Sequence, residues 1–306
     1  MQLNAEKTNL LVHSKHSLSS LFEEKSNNGL LPRTQSLLEK PIFVIGCPRS
    51  GTTLLGSCLQ NHSKLGGGEE SLFIIDLWRV FSDLHMGINK RNFRPLSSYL
   101  SAQELLDLIG SFSDHIFHGQ LKSGELYYVD HTPWYALIMP FLDLLYPDAI
   151  FIHVIRNGQD VVNSLTVSNE KGFSWAGDSF EKRVQLWMDI VETSRQFGAC
   201  LPSCRYQEIR YENLCLDPES TLKAVVHSVG LDWDEKCLEP LAMAHAGPSN
   251  LNSVIGVYDE NGHLKFNHFL KKNYQSPPNW SAEDCKIFDK KAAQLMKSLG
   301  YIKDGS

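Results

Sequence analysis

The chain has 306 residues, 42% of them hydrophobic and 21% charged, and carries a formal net charge of -6. That length suits one α/β domain with insertions and a sizeable core, while the negative charge excludes the basic footprint of a nucleic-acid binder, so any anion site has to be local. Seven scattered cysteines fit a reducing compartment better than a disulfide framework, and neither an apolar leader nor a run of 18 apolar residues occurs; this predicts a cytoplasmic protein with no membrane or nucleic-acid partner.

Residues 1–39 are polar and irregular and read as an extension ahead of a domain spanning 40–303. Pro41 to Gly46 is a buried-strand run, followed by a Gly/Ser/Thr turn and a helical pattern over 53–62. Helical spacing returns over 71–84, and Ser101 with Glu104 forms a capping-box start for a helix to about 117. Apolar runs at 126–129 and 150–155 flank a helix over 134–145, the spacing of a parallel crossover. A helix from about 159, a long amphipathic one over 179–198, a strand at 206–210 and helices over 218–229 and 281–299 complete the pattern. Strands alternating with helices predict a mostly parallel sheet covered on both faces.

The turn after the first strand reads Gly46-Cys-Pro-Arg-Ser-Gly-Thr-Thr53. It keeps the two-glycine spacing of a phosphate loop but has Thr52 where an NTP-binding loop has its lysine. Glycines let backbone N–H groups converge on an anion, and a helix opening near Thr53 aims its positive end at the same place. After the strand ending at Ile155, Arg156 stands eight residues before Ser164, which a helix would carry to the same side, so that a guanidinium fork and a hydroxyl could meet one phosphate.

Cys47 to Leu55 resembles the 5'-phosphosulfate loop of sulfotransferases that use PAPS (3'-phosphoadenosine 5'-phosphosulfate), in the arginine form of tyrosylprotein sulfotransferases and bacterial relatives. The resemblance implies a P-loop nucleotide-kinase-like α/β fold in a single domain. Ser50, Gly51, Thr52 and Thr53 would hold the 5'-phosphate, and Arg49 would balance charge on the bridging oxygen as the S–O bond breaks. Arg156 and Ser164 match the pair that grips the 3'-phosphate. Ile209 to Leu214 is similar to a strand-end segment beside the nucleotide, with Tyr211 as the candidate, and Lys271 and Lys272 stand where the family often places another phosphate contact. PAPS is then the donor and PAP the product.

The acceptor must lose a proton as it attacks sulfur, so a base has to stand within hydrogen-bond reach. His131, just past a strand in Asp-His-Thr-Pro-Trp, is the first candidate, because histidine is a base near neutral pH. Glu70, which follows Arg49 at the interval of the tyrosylprotein enzymes, is the second, and Glu69 the third. His153, inside an apolar strand, reads as a core residue. Cys200 and Cys204 lack a second ligand pair and the histidines lack ligand spacing, so no metal is expected. Phe73, Trp78, Trp134 and Trp175 suggest a partly apolar pocket for a small-molecule hydroxyl or amine of secondary metabolism, with Glu69 and Glu70 suiting a cationic one. Two other readings fit the same residues: a phosphotransferase using the glycine loop with Mg-ATP, and a PAPS-binding protein without turnover.

Overall fold

The computed structural model describes residues 30–85, 98–242, 256–258, 264–266 and 280–302. Its centre is a five-stranded parallel sheet in the order β2-β3-β1-β4-β5. These strands are β1 (Ile42–Gly46), β2 (Leu65–Gly67), β3 (Tyr127–Asp130), β4 (Ile150–Ile155) and β5 (Tyr206–Arg210). β1 and β4 are buried along their whole length, as a continuous apolar run requires in a sheet covered on both sides. Alternate β1 residues enter opposite layers: Phe43 and Ile45 join one core, Ile42 and Val44 the other. Burying each such side chain stabilises the fold by roughly 1.5–3 kcal/mol.

The helices that cover the sheet are α1 (Thr52–Gln60), α2 (Phe73–His85), α3 (Ala102–His118), α4 (Met139–Leu145), α5 (Gly158–Glu170), α6 (Phe180–Gly198), α7 (Tyr211–Leu216), α8 (Pro218–Ser228), α9 (Glu239–Ala242) and α10 (Ala282–Ser298). The layer holding α1 and α8 packs on Ile42 and Val44, and the larger layer holding α3, α4, α6 and α10 packs on Phe43 and Phe151. Ser101 and Glu104 form the expected reciprocal capping box on α3. An antiparallel pair, β6 (Gly256–Tyr258) and β7 (Leu264–Phe266), lies apart from this sheet in hydrogen bonding.

Three differences from the sequence reading have simple causes. The segment predicted as one helix over 134–145 is a 3-10 helix (Pro133–Ile138) followed by α4, because Pro140 lacks the N–H that a continuous α-helix would need and so sits at the start of a new one. β3 and β4 are parallel but not neighbours: β1 pairs with both, Ile42 facing Val129 on one side and Ile150 on the other. β2, with two glycines in three residues, carries no strand signal of its own and exists because β3 pairs with it.

Residues from Leu30 pack into the body of the protein, with Leu30 and Leu38 buried. Arg33, buried, donates from Nη2 to Asp114 Oδ2 at 3.0 Å, and Ser36 Oγ donates to Asp114 Oδ1 at 2.9 Å. Truncating one partner of a buried pair strands the other charge. Asp114→Ala is therefore expected to cost on the order of 3 kcal/mol in chemical denaturation, whereas a loss no larger than that of an exposed pair such as Lys182 with Asp178 would show that Arg33 finds water.

Candidate active site

Each of the five strands ends, at its carboxyl edge, in residues that meet at one place, the edge where parallel α/β sheets present their ligand sites. β1 delivers the Gly46–Thr53 turn, β2 Glu69 and Glu70, β3 His131, β4 Arg156 and β5 Tyr211.

The turn is tight enough to dictate its residues. A Cβ on Gly51 would lie 2.3 Å from the Tyr211 ring, and its φ of 101° belongs to glycine. Arg49 itself adopts φ 77°, a left-handed conformation that costs a non-glycine residue about 1–2 kcal/mol and that its contacts have to offset. Ser50 N donates to Cys47 O at 3.0 Å, closing the turn. Gly51 is the N-cap of α1 and offers no side-chain acceptor, so the N–H groups of the first helical turn are left for an anion.

Arg49 Nε donates to Ser164 Oγ at 2.9 Å, and Arg156 Nη1 donates to the Arg49 carbonyl at 3.1 Å. The two sequence motifs thus form one structure. The Arg156 guanidinium lies 4.5 Å over the Tyr211 ring, and its buried Nε has no hydrogen-bond partner among the described residues. Asp160 stands 3.9 Å from that nitrogen, its carboxyl pushed up to about 6 by burial against the pull of Arg156. Burial and the neighbouring Arg156 charge draw the Arg49 guanidinium below its ordinary value, though Tyr211 and Glu70 oppose this; it stays charged at any working pH. Two guanidinium groups this near each other, one with an N–H unsatisfied among the described residues, form a positively charged site whose repulsion an anion would relieve.

Glu70 stands across the turn. Its carboxyl is pushed up to about 7, first by the surrounding protein, then by the charges of Asp130 and Glu69, against a Thr53 hydrogen bond and the Arg49 charge. The residue keeps an exposed surface at the mouth of the site, where water reaches the carboxyl. Its position is fixed from below: Ser71 N donates to Thr132 Oγ1 at 2.9 Å, Ser71 Oγ donates to Asp130 Oδ2 at 2.6 Å and contacts the Tyr135 hydroxyl, and Thr132 N donates to Asp130 Oδ1 at 2.7 Å. This buried network ties the segment after β2 to the end of β3.

His131 is buried against α1, where a Cβ on Gly56 would lie 2.4 Å from the His131 Cβ. Gln60, one turn further along the same helix face, brings its amide nitrogen 3.3 Å from His131 Nδ1.

The match to the sulfotransferase family runs over residues 41–235, well over half of the chain. The chain belongs to the sulfotransferase family. Among similar relatives, protein-tyrosine sulfotransferase A of Caenorhabditis elegans is 25% identical over 199 residues, covering 64% of this chain and 51% of that protein. Protein-tyrosine sulfotransferase 1 of Danio rerio is 25% identical over 224 residues, covering 72% and 61%. The chain thus spans about half to three fifths of the length of these relatives. In three dimensions it is similar to the sulfotransferase domain of the Synechococcus PCC 7002 olefin synthase (TM-score 0.53, 18% identity, covering 90% of this chain and 100% of that one). It is also similar to the sulfotransferase domain from the curacin biosynthetic pathway (TM-score 0.52, 20% identity, covering 84% and 98%). These likenesses establish the fold, the P-loop-like sheet of the family.

Within this family member the turn residues Arg49, Ser50, Gly51, Thr52 and Thr53 converge with Arg156, Ser164 and Tyr211, and Glu70 faces the same group. Tyr211 does more than close a strand end: it opens α7, covers Gly51 and carries Arg156. His153 is fully buried, with Nδ1 2.8 Å from the Tyr206 hydroxyl, and is a core residue as read. Of the four aromatics, Trp78 and Trp134 are core residues rather than pocket lining, Trp78 packing on Phe81 and Phe141. Phe73 packs on Phe112 and Phe117, and Trp175 sets its ring edge-to-face with Trp134. Lys271 and Lys272 lie outside the described residues. The sequence reading passed over Gln60, Gly56, Asp130 and Ser71. Only the i, i+4 spacing of Gly56 and Gln60 hinted at a shared face toward the site. No helix among the described residues is long and apolar enough to cross a membrane.

Proposed function

We propose that this protein transfers a sulfuryl group from PAPS to a hydroxyl or amine of a small-molecule acceptor of secondary metabolism, releasing PAP, with Glu70 as the general base. The observation that carries it is the joining of the glycine turn to the Arg156–Ser164 clamp through Arg49, which sets two anion sites side by side. One lies at the α1 N-terminus and fits a 5'-phosphate. The other, at the Arg156 Nε that has no hydrogen-bond partner among the described residues, beside Tyr211, fits the 3'-phosphate of the same nucleotide.

The chemistry follows from the placement. PAPS supplies an activated sulfuryl group on a good leaving phosphate. Glu70 lies within the electrostatic reach of Arg49 and Thr53, beside the turn where an attacking acceptor would enter, so its carboxylate takes the acceptor's proton as the new S–O or S–N bond forms. Arg49 and the first-turn N–H groups of α1 receive the negative charge that grows on the bridging oxygen as the old S–O bond breaks. Thr52 in place of a phosphate-loop lysine suits a sulfuryl group, which carries less charge than a phosphoryl group and needs fewer cations. The unbridged, exposed Cys200, Cys204 and Cys285 support a reducing, cytoplasmic setting.

Arg156 gives the test of the donor. Arg156→Ala is expected to weaken PAP binding about 10–100-fold by calorimetry while leaving the weaker binding of 5'-AMP nearly unchanged, because a charge-assisted hydrogen bond of roughly 1.5–3 kcal/mol to the 3'-phosphate is lost. Equal weakening of both nucleotides would place Arg156 at the 5' end instead, and no PAP binding by the folded wild-type chain would overturn the assignment.

A further inference from the structure

The Gln60 amide nitrogen is 3.0 Å from the Gly68 carbonyl and 3.0 Å from the Val129 carbonyl, as well as 3.3 Å from His131 Nδ1. Two carbonyl acceptors settle the amide orientation, since flipping it would set Oε1 against both oxygens. The atom facing His131 is therefore an NH2 group with no lone pair to offer. Its two hydrogens go to the two carbonyls, so Nδ1 shares one of them at most, but a proton on Nδ1 would press on a nitrogen that cannot accept it, and in the neutral ring the proton therefore sits on Nε2.

The ring is packed edge and stem against α1, and turning it over would set the apolar Cδ2 against the Gln60 amide and leave Nδ1 without that neighbour. His131 is buried, its Cβ, Cγ and Nδ1 stacked on Gly56, where even a methyl group would come within 2.4 to 2.9 Å of those three atoms. The charges facing it are Asp130 beside it and Glu69, and both favour an imidazolium, but burial outweighs them and lowers its basicity. Placing an Nδ1–H against the Gln60 amide adds to the same bias.

We infer that Gln60 holds His131 as a neutral Nε2–H tautomer, which makes the histidine a hydrogen-bond donor to an oxygen of the reacting groups and not the base that its position in the sequence suggests. A base has to offer a free lone pair to the acceptor's proton. Here the free lone pair, on Nδ1, is turned to Gln60, and Nε2, which has no partner among the described residues, already carries its hydrogen. The inference rests on the sulfotransferase reading for the donor role, but the tautomer stands or falls by itself. Gln60 is a positioning residue, acting through the ring.

The experiment is 15N NMR of the full chain with labelled histidine, with the His131 signal identified by its absence from His131→Gln. The expected result is a pyridine-type Nδ1 and a pyrrole-type Nε2, unchanged between about pH 6 and 8, the interval in which an ordinary histidine titrates. A proton on Nδ1, or an imidazolium in that interval, overturns the inference whether or not a sulfuryl acceptor has been found. Kinetics supply the second arm. His131→Gln, whose amide still offers an N–H, should keep the acidic limb of the pH–rate profile where it is in the wild type; disappearance of that limb would make His131 the base. Gln60→Met, which removes the NH2 without changing length, should let Nδ1–H appear in the same spectrum, and an unaltered tautomer there would show that Gln60 does not set it.

Discussion

Replacing Arg49 by alanine should lower kcat by about 10²–10³-fold while PAP affinity falls much less, because in the proposed mechanism its guanidinium meets charge that develops only as the S–O bond breaks. The structure explains why the residue can be so demanding. Arg49 is held in a left-handed backbone conformation, its Nε is engaged by Ser164 and its carbonyl by Arg156, so the remaining guanidinium nitrogens are directed rather than free to wander. The measurement is single-turnover PAP release with the folded variant, checked by its thermal midpoint. Arg49→Lys should recover little, since a point charge cannot keep the Ser164 contact in the same fork geometry. Full turnover in Arg49→Ala would remove the residue from the transition state and leave the turn as a binding element only.

The second large effect belongs to Glu70. A base works when ionised, and its carboxyl is raised to about 7, so at saturating donor the acceptor kcat/KM should climb with pH up to a plateau beginning near or above that value. The signs are consistent: desolvation, Asp130 and Glu69 all favour the protonated form, bound donor adds negative charge in the same direction, and only Arg49 and the Thr53 hydrogen bond pull the other way. Glu70→Gln should abolish the acidic limb and cost about 10²–10⁴-fold in rate, the usual contribution of a positioned base. Glu69, which lies outside the electrostatic reach of Arg49 and Thr53 that acts on Glu70, should tolerate Glu69→Gln with little change in profile. A limb that survives in Glu70→Gln and vanishes in Glu69→Gln would exchange their roles.

Much of this site was legible before any coordinates, because its residues lie next to strong local signals. The Gly46–Thr53 turn announces itself between an unbroken apolar strand and a helical pattern, and positive φ at Gly51 is what glycine there allows. Ser164 follows Arg156 on the helix that opens just after it, so their nearness in the chain was legible, but the link between them runs through Arg49, which only the fold brings there. Pro140 shows the limit of periodicity: the apolar spacing suggested one helix, and the imide ring made two.

What the tertiary structure alone decided concerns contacts between segments far apart in the chain. That β1 stands between β3 and β4, that Gln60 reaches Gly68, Val129 and His131, and that Asp130 binds Ser71 all depend on how the sheet assembles. Trp78 and Trp134 looked like pocket lining by composition and proved to be core, because burial is a property of packed layers. The amino-acid sequence by itself determined which side chains stand at the strand ends and that a glycine turn would lead from a buried strand into a helix start. Which nitrogen of His131 carries a proton, and how far Glu70 is raised, came from the fold, since both are set by hydrogen-bond partners and charges brought within a few ångströms only when the strand ends converge.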